Sequence, residues 1–207
     1  MSDKELLNKD LCLIEVCRFK DIRQIFEEFH YKHGHMGGGI SVCFRLLIDN
    51  KLSGGAVLGA PRHSKKYPDS IDIRRMACLD NAPQNSESYF IGQIKKWLKA
   101  NTSYKHILSY SDLTVGHVGT IYKASGFKEV GKTSPSKYVE WLGKIYHPRS
   151  LSIDRDYSYR MREAVKTGEA IVKTGLPKII WMLDINRKEY KTDKSNQKVI
   201  KYKLEQL

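Results

Sequence analysis

Three histidines cluster in the run HYKHGH, where His30, His33 and His35 offer imidazoles that could hold a metal ion. The run falls at the predicted end of a helix, and no carboxylate or cysteine pair matches it, so no metal site is expected there. A second set of chemical groups lies in DNAPQNSES, residues 80–88, directly before a helical apolar pattern. A helix N-terminus presents free backbone N–H groups and the positive end of the helix dipole. Asn85, Ser86 and Ser88 are therefore candidate anion ligands, while Asn85 or Ser86 serving only as an N-cap is an equally good reading. Arg75, in the strand-like segment IDIRRMACL, is a candidate phosphate contact or else a solvated or paired strand arginine. Cys12, Cys17, Cys43 and Cys78 lack CxxC spacing and sit in apolar stretches, as reduced core thiols do.

The elements that must position these groups follow from periodicity. Residues 11–19 (LCLIEVCRF) are β-rich, and the spacing of Ile22, Ile25, Phe26 and Phe29 then predicts an amphipathic helix. Two apolar runs, 40–48 and 52–58, joined by Asp49-Asn50-Lys51, predict a β-hairpin after the Gly-rich break HGHMGGG. A strand over 71–79 follows, then a helix whose buried stripe is Phe90, Ile94, Trp97 and Leu98. Residues 106–110 read as a strand, 117–125 as a short helix, Gly126 as its left-handed cap and 127–130 as a further strand. The order β-α-β-β-β-α-β-α-β predicts an α/β (α+β) fold, a mixed central sheet with helices on both faces. Beyond Trp141 the pattern is poorer: 159–172 reads as a helix, 178–185 as a strand, and the end is lysine-rich. One domain is expected, with a core over 1–140. Residues 141–207 form a basic C-terminal extension packed on it, a candidate DNA contact.

Charge narrows the partner. The chain carries a formal net charge of +13 over its 207 residues, with an excess of Lys and Arg on both sides of residue 140. A folded protein this basic usually meets a polyanion, of which nucleic acid is the commonest and an acidic membrane surface the chief rival. No apolar run approaches the ~18 residues a membrane span requires. The opening MSDKELLNKD has no signal-peptide apolar region, so a cytoplasmic protein without membrane association is expected. Binding to duplex DNA should then weaken steeply with added salt.

The fragments together resemble a known family. Tyr122-Lys123-Ala124-Ser125-Gly126-Phe127 has the Tyr-x-x-x-Gly-Phe form that closes the cofactor half of GNAT acetyltransferases. Over roughly residues 26–131 the chain is similar to the phage Mom family. The likeness rests on Phe29-His30-Tyr31, Gly59-Ala60-Pro61 after the hairpin, Arg74-Arg75-Met76, residues 85–90 (NSESYF), 109–112 (SYSD) and 116–122 (GHVGTIY). It departs from ordinary GNAT members at the phosphate loop, where DNAPQNSES replaces the usual Arg/Gln-x-x-Gly-x-Gly/Ala.

That resemblance implies a GNAT-like fold and an acyltransferase-like enzyme that converts adenine in phage double-stranded DNA to N6-carbamoylmethyladenine, protecting it from host restriction enzymes. It implies acetyl-CoA or a related acyl donor, whose pyrophosphate Asn85, Ser86 and Ser88 could hold, with Arg75 on phosphate or substrate. Adenine N6 is a poor nucleophile, so a general base and close placement matter. Asp112 is the implied base or orienting group, its alternative being a cap or turn with Thr114. Tyr122 is placed to protonate a leaving thiolate, its alternative being a buried helix tyrosine. His30 and Tyr31 are the implied contacts to a base flipped from the stack. Direct acetyl transfer would give an amide rather than the N6–CH2 bond of that product, so a different donor or a further step is required. The rival readings are a conventional GNAT N-acetyltransferase acting on a protein, small amine or tRNA, and a nonenzymatic DNA-binding module.

Overall fold

Apolar side chains that alternate between two sides of a strand need cover on both. The computed structural model, which describes residues 5–29, 39–63, 65–146, 151–152 and 156–185, supplies it. Strands β1 (Cys12–Cys17), β2 (Ile40–Ile48), β3 (Lys51–Gly59) and β4 (Ser70–Cys78) form an antiparallel run. The turn of the β2–β3 hairpin is Asp49-Asn50, both at positive φ, and these residue types tolerate that conformation well. Helix α1 (Arg23–Phe29), with Ile22 just before it, buries Ile22, Ile25 and Phe26 against Cys43 and Val57 on one face. Phe44 points to the other face, where it meets Trp97 of helix α2 (Ser86–Asn101) edge-on, with ring centroids 5.1 Å apart. Phe90, Ile94 and Leu98 of α2 are fully buried. The expected helices on both faces are thus present.

Helix α2 leads to β5 (His106–Asp112), which pairs parallel with β4. Helix α3 (Thr120–Ala124) and β6 (Lys128–Lys132) follow. The helix is shorter than the predicted 117–125 because Gly116 and Gly119 both take φ +78 and keep its start at Thr120. Gly126, at φ +80, ends it as the sequence predicts. Strand β10 (Lys178–Asp184) joins the same sheet, giving seven strands in the order β1-β2-β3-β4-β5-β10-β6.

A second sheet, not foreseen, has the order β8-β7-β9, from β7 (Lys137–Trp141), β8 (Lys144–Tyr146) and β9 (Ile171–Thr174). Helix α4 (Asp156–Thr167) packs Met161 and Ala164 with Val139 and Ala170. The predicted helix over 159–172 is corrected here: it stops at Thr167, Gly168 turns at φ +84, and Ile171-Val172 begin β9. The described residues fall into two compact units. One is drawn from Met1–Ser109, Thr120–Glu129 and Trp181–Leu207, the other from Tyr110–Gly119 and Val130–Ile180.

Candidate functional site

Strands β4 and β5 stay paired only from Ser70↔His106 to Asp72↔Leu108, although they run on to Cys78 and Asp112. Past that point the two strands part, and a gap between parallel strands exposes backbone groups that a ligand can use. β4 also bulges: Val57 pairs with Arg75 and Leu58 with Ile73, which leaves Arg74 as the extra residue. Arg75, the predicted phosphate contact, is half-buried in this stretch.

Ser109, 1% exposed, lies just past the last β4–β5 pair, and its side chain is hydrogen-bonded to the Tyr122 hydroxyl. The Tyr122 ring packs against Phe127 at 5.3 Å and Trp181 at 6.2 Å between centroids. Burial pushes the Tyr122 hydroxyl above the ordinary tyrosine range, and the Ser109 bond offsets part of that rise. At neutral pH the phenol therefore holds its proton and can donate it. The ring is packed as the alternative reading, a buried helix tyrosine, requires.

At the start of α2, Asn85 adopts a left-handed conformation, φ 72, and its side chain makes no capping bond. Its carbonyl accepts the Tyr89 N–H at 3.0 Å and the Ser88 hydroxyl at 3.1 Å. Ser86 is fully buried and its hydroxyl donates to the Pro83 carbonyl at 2.7 Å, so its side chain is committed within the loop. Asn85 and Ser88 line a cavity of about 520 Å³ together with Tyr89 of α2, Ser125 after α3, and Leu6 and Lys9 near the N-terminus. That volume suits a nucleotide-sized ligand.

Asp112 is 8% exposed, and one carboxylate oxygen meets the Lys178 ammonium at 2.6 Å. Its other oxygen accepts the Thr114 N–H at 3.2 Å, the turn the sequence suggested, and its carbonyl accepts the His117 N–H at 3.0 Å. Thr114 in turn accepts the Leu176 N–H at 2.9 Å. Lys178 was missed because nothing local links it to a carboxylate 66 positions earlier (178 − 112). His30 and Tyr31 lie outside the described residues. Among the described residues, no group of three or more His, Cys, Asp or Glu is placed to hold a metal, and no helix is long and apolar enough to cross a membrane.

The sequence profile of the Mom protein family matches residues 12–203, nearly the whole chain. The chain belongs to the Mom protein family. Within that family it resembles the methylcarbamoylase mom of Escherichia phage Mu, at 30% identity over 83 residues. The match covers 40% of this chain and only about a third, 34%, of that relative's length. The fold of this Mom family member is GNAT-like. An N-acetyltransferase of Staphylococcus aureus Mu50 superposes with a TM-score of 0.50 at 12% identity, covering 84% of this chain and 99% of that one. A GNAT-family acetyltransferase of Desulfovibrio desulfuricans superposes with the same TM-score and coverages, at 9% identity.

Proposed function

We propose that the protein transfers a group from a coenzyme A-type donor to adenine N6 in double-stranded phage DNA, leading to N6-carbamoylmethyladenine and protection from host restriction enzymes. The observation that carries this reading is the family match over residues 12–203 on a GNAT-like fold. The cavity at the start of α2 supports the donor half. It combines a helix N-terminus, an exposed lysine and the buried Ser125 hydroxyl oxygen, which has no partner, and such groups fit a phosphorylated ligand. A thioester donor supplies an electrophilic carbonyl carbon and a thiolate leaving group; attack through that carbon gives an N6 amide, so the N6–CH2 bond of the product requires a different group on the donor or a further step.

The chain's own residues do the rest. Tyr122 holds a proton for the departing sulfur. Asp112, fixed by Lys178 and Thr114, orients the N6 amine or accepts its proton. Asn85 and Ser88 hold the donor's phosphates, with Ser86 bracing the loop from within and Arg75 contacting phosphate or substrate. His30 and Tyr31 receive the adenine, which must leave the base stack to be reached. The formal charge of +13 draws in the duplex.

Nucleoside mass spectrometry of plasmid DNA from cells producing the protein tests this directly. A modified deoxyadenosine with the mass of the carbamoylmethyl adduct is the expected result. Unmodified DNA, together with acetyl-CoA turnover on a small amine in the absence of DNA, would refute it in favour of a conventional N-acetyltransferase.

A further inference from the structure

The residues before β1 run alongside the loop that precedes α2. Leu6 forms a parallel bridge with Gln84; the Leu7 N–H donates to the Gln84 carbonyl at 3.3 Å and the Gln84 N–H donates to the Glu5 carbonyl at 2.9 Å. Asn8 then accepts the Asp10 N–H on its side chain at 3.0 Å. This turn carries Lys9 to the wall of the cavity that Asn85, Ser88, Tyr89 and Ser125 also line. Lys9 is exposed and has no acidic partner among the described residues.

Four groups at this cavity point to a phosphorylated ligand. The N-terminus of a 16-residue helix brings about half a positive charge to it, and the Lys9 ammonium adds a whole one. Ser125 places in its wall a hydroxyl oxygen with less than 1 Å² of exposure and no hydrogen-bond partner. A buried hydroxyl left unsatisfied costs about 1–3 kcal/mol, a cost relieved when the Ser125 side chain turns towards a ligand oxygen in the cavity. Tyr89 adds a hydroxyl kept protonated, since burial and then the nearby Cys12 and Asp10 raise its pKa. The loop itself supplies little: Pro83 has no N–H, and Gln84 spends its own on Glu5. A glycine-rich loop would wrap phosphate with backbone N–H groups; here the N-terminal strap stands beside the loop and brings a cation.

We infer that Lys9, held in place by the pairing of Glu5, Leu6 and Leu7 with Gln84, is a phosphate-gripping residue of the donor site and selects donors that carry a phosphorylated nucleotide end. The inference rests on the coenzyme A-type donor proposed above. Residues 5–9 thereby belong to the functional site, although they precede the first strand and lie outside the matched residues 12–203.

Calorimetric titration of the full chain with coenzyme A, with pantetheine, which lacks every phosphate, and with a short DNA duplex separates the possibilities. Wild type should bind coenzyme A more tightly than pantetheine. Lys9→Gln should weaken coenzyme A about tenfold, the scale of one charge-assisted hydrogen bond, and leave pantetheine and duplex affinities unchanged, while Lys9→Arg retains most of the binding. The substitution is at an exposed position, and an unaltered melting temperature without ligand confirms that the fold is kept. Equal affinity of wild type and Lys9→Gln for coenzyme A overturns the role of Lys9 alone, and so does a loss confined to the duplex, which would make Lys9 part of the DNA surface. Wild type that fails to bind coenzyme A overturns the donor reading and this inference with it.

Discussion

Asp112→Asn removes one charge from a pair whose side chains are nearly out of water, 11% exposed on Asp112 and 13% on Lys178, with the charged atoms 2.6 Å apart. The amide keeps the shape and can still accept the Thr114 N–H, so the main loss is the counter-charge. Removing one partner of a buried pair costs ~3–5 kcal/mol, because the other charge is left desolvated and unpaired. We expect the lower end, about 3 kcal/mol, since both side chains keep a little contact with water. Lys178→Met should cost about as much by stranding the carboxylate. The double variant buries neither charge and should be far less destabilised than the sum, with a coupling of at least about 2 kcal/mol. Urea unfolding followed by far-UV circular dichroism measures all four proteins. A loss of ~3 kcal/mol is a large share of the ~5–15 kcal/mol of a typical domain, so modified adenine must be compared at equal soluble protein. The double variant is the cleaner catalytic test. If it folds and leaves DNA unmodified, the Asp112 carboxylate serves the chemistry; if it modifies DNA like wild type, Asp112 is a structural ion-pair partner only. Should Asp112→Asn unfold at the wild-type urea concentration, the reasoning about the pair is wrong from its first step.

Tyr122→Phe keeps the ring contacts with Phe127 and Trp181 but removes the proton and strands the buried Ser109 side chain. It should lower turnover ~10²-fold or more with a stability loss of only about 1 kcal/mol, and wild-type turnover in nucleoside mass spectrometry would end its acid role. Leu142 holds φ +50 in the two-residue turn between β7 and β8, a conformation that costs a leucine roughly 1 kcal/mol and suits asparagine. Leu142→Asn should therefore raise the melting temperature by a few degrees, and an unchanged or lower value would contradict the turn geometry. Burial pushes the Cys17 and Cys78 thiols up to about 12 from 9.0, so the folded state holds these protons more tightly than the unfolded chain. Their stabilising contribution is fully present below pH 9 and is lost as pH rises towards 12. Urea midpoints should fall between pH 9 and 10.5, and replacing both cysteines with alanine should flatten that fall; an identical slope in the variant would refute the assignment.

How far the sequence spoke depended on the range over which each feature is decided. The β2–β3 turn at Asp49-Asn50 and the end of α3 at Gly126 were legible because one or two residue types fix their backbone angles. The helical stripe of Phe90, Ile94 and Leu98 was legible because a 3.6-residue period survives whatever the helix packs on. The same local logic was available at Gly168, where Thr-Gly-Glu-Ala is a helix-ending signal, yet apolar residues on both sides of it read as one long helix. The hairpin of β7 and β8 escaped because Leu142-Gly143 is a poor turn sequence: tertiary packing of Val139 under α4 overrides the leucine's reluctance. Two features of larger consequence had no local signature at all. Strand β10 reads as a strand from its own residues, but its place between β5 and β6 depends on the whole sheet. Lys178 opens that strand and reaches Asp112 at 2.6 Å, so a residue singled out by the family resemblance, the last of β5, is held by one far along the chain. Lys9 teaches the same thing at the donor end, where the cavity wall includes residues ahead of the first strand. The residue types at a site can be read from short motifs. The cations that balance its charges arrive through topology, and these are the positions where substitution should separate folding from chemistry.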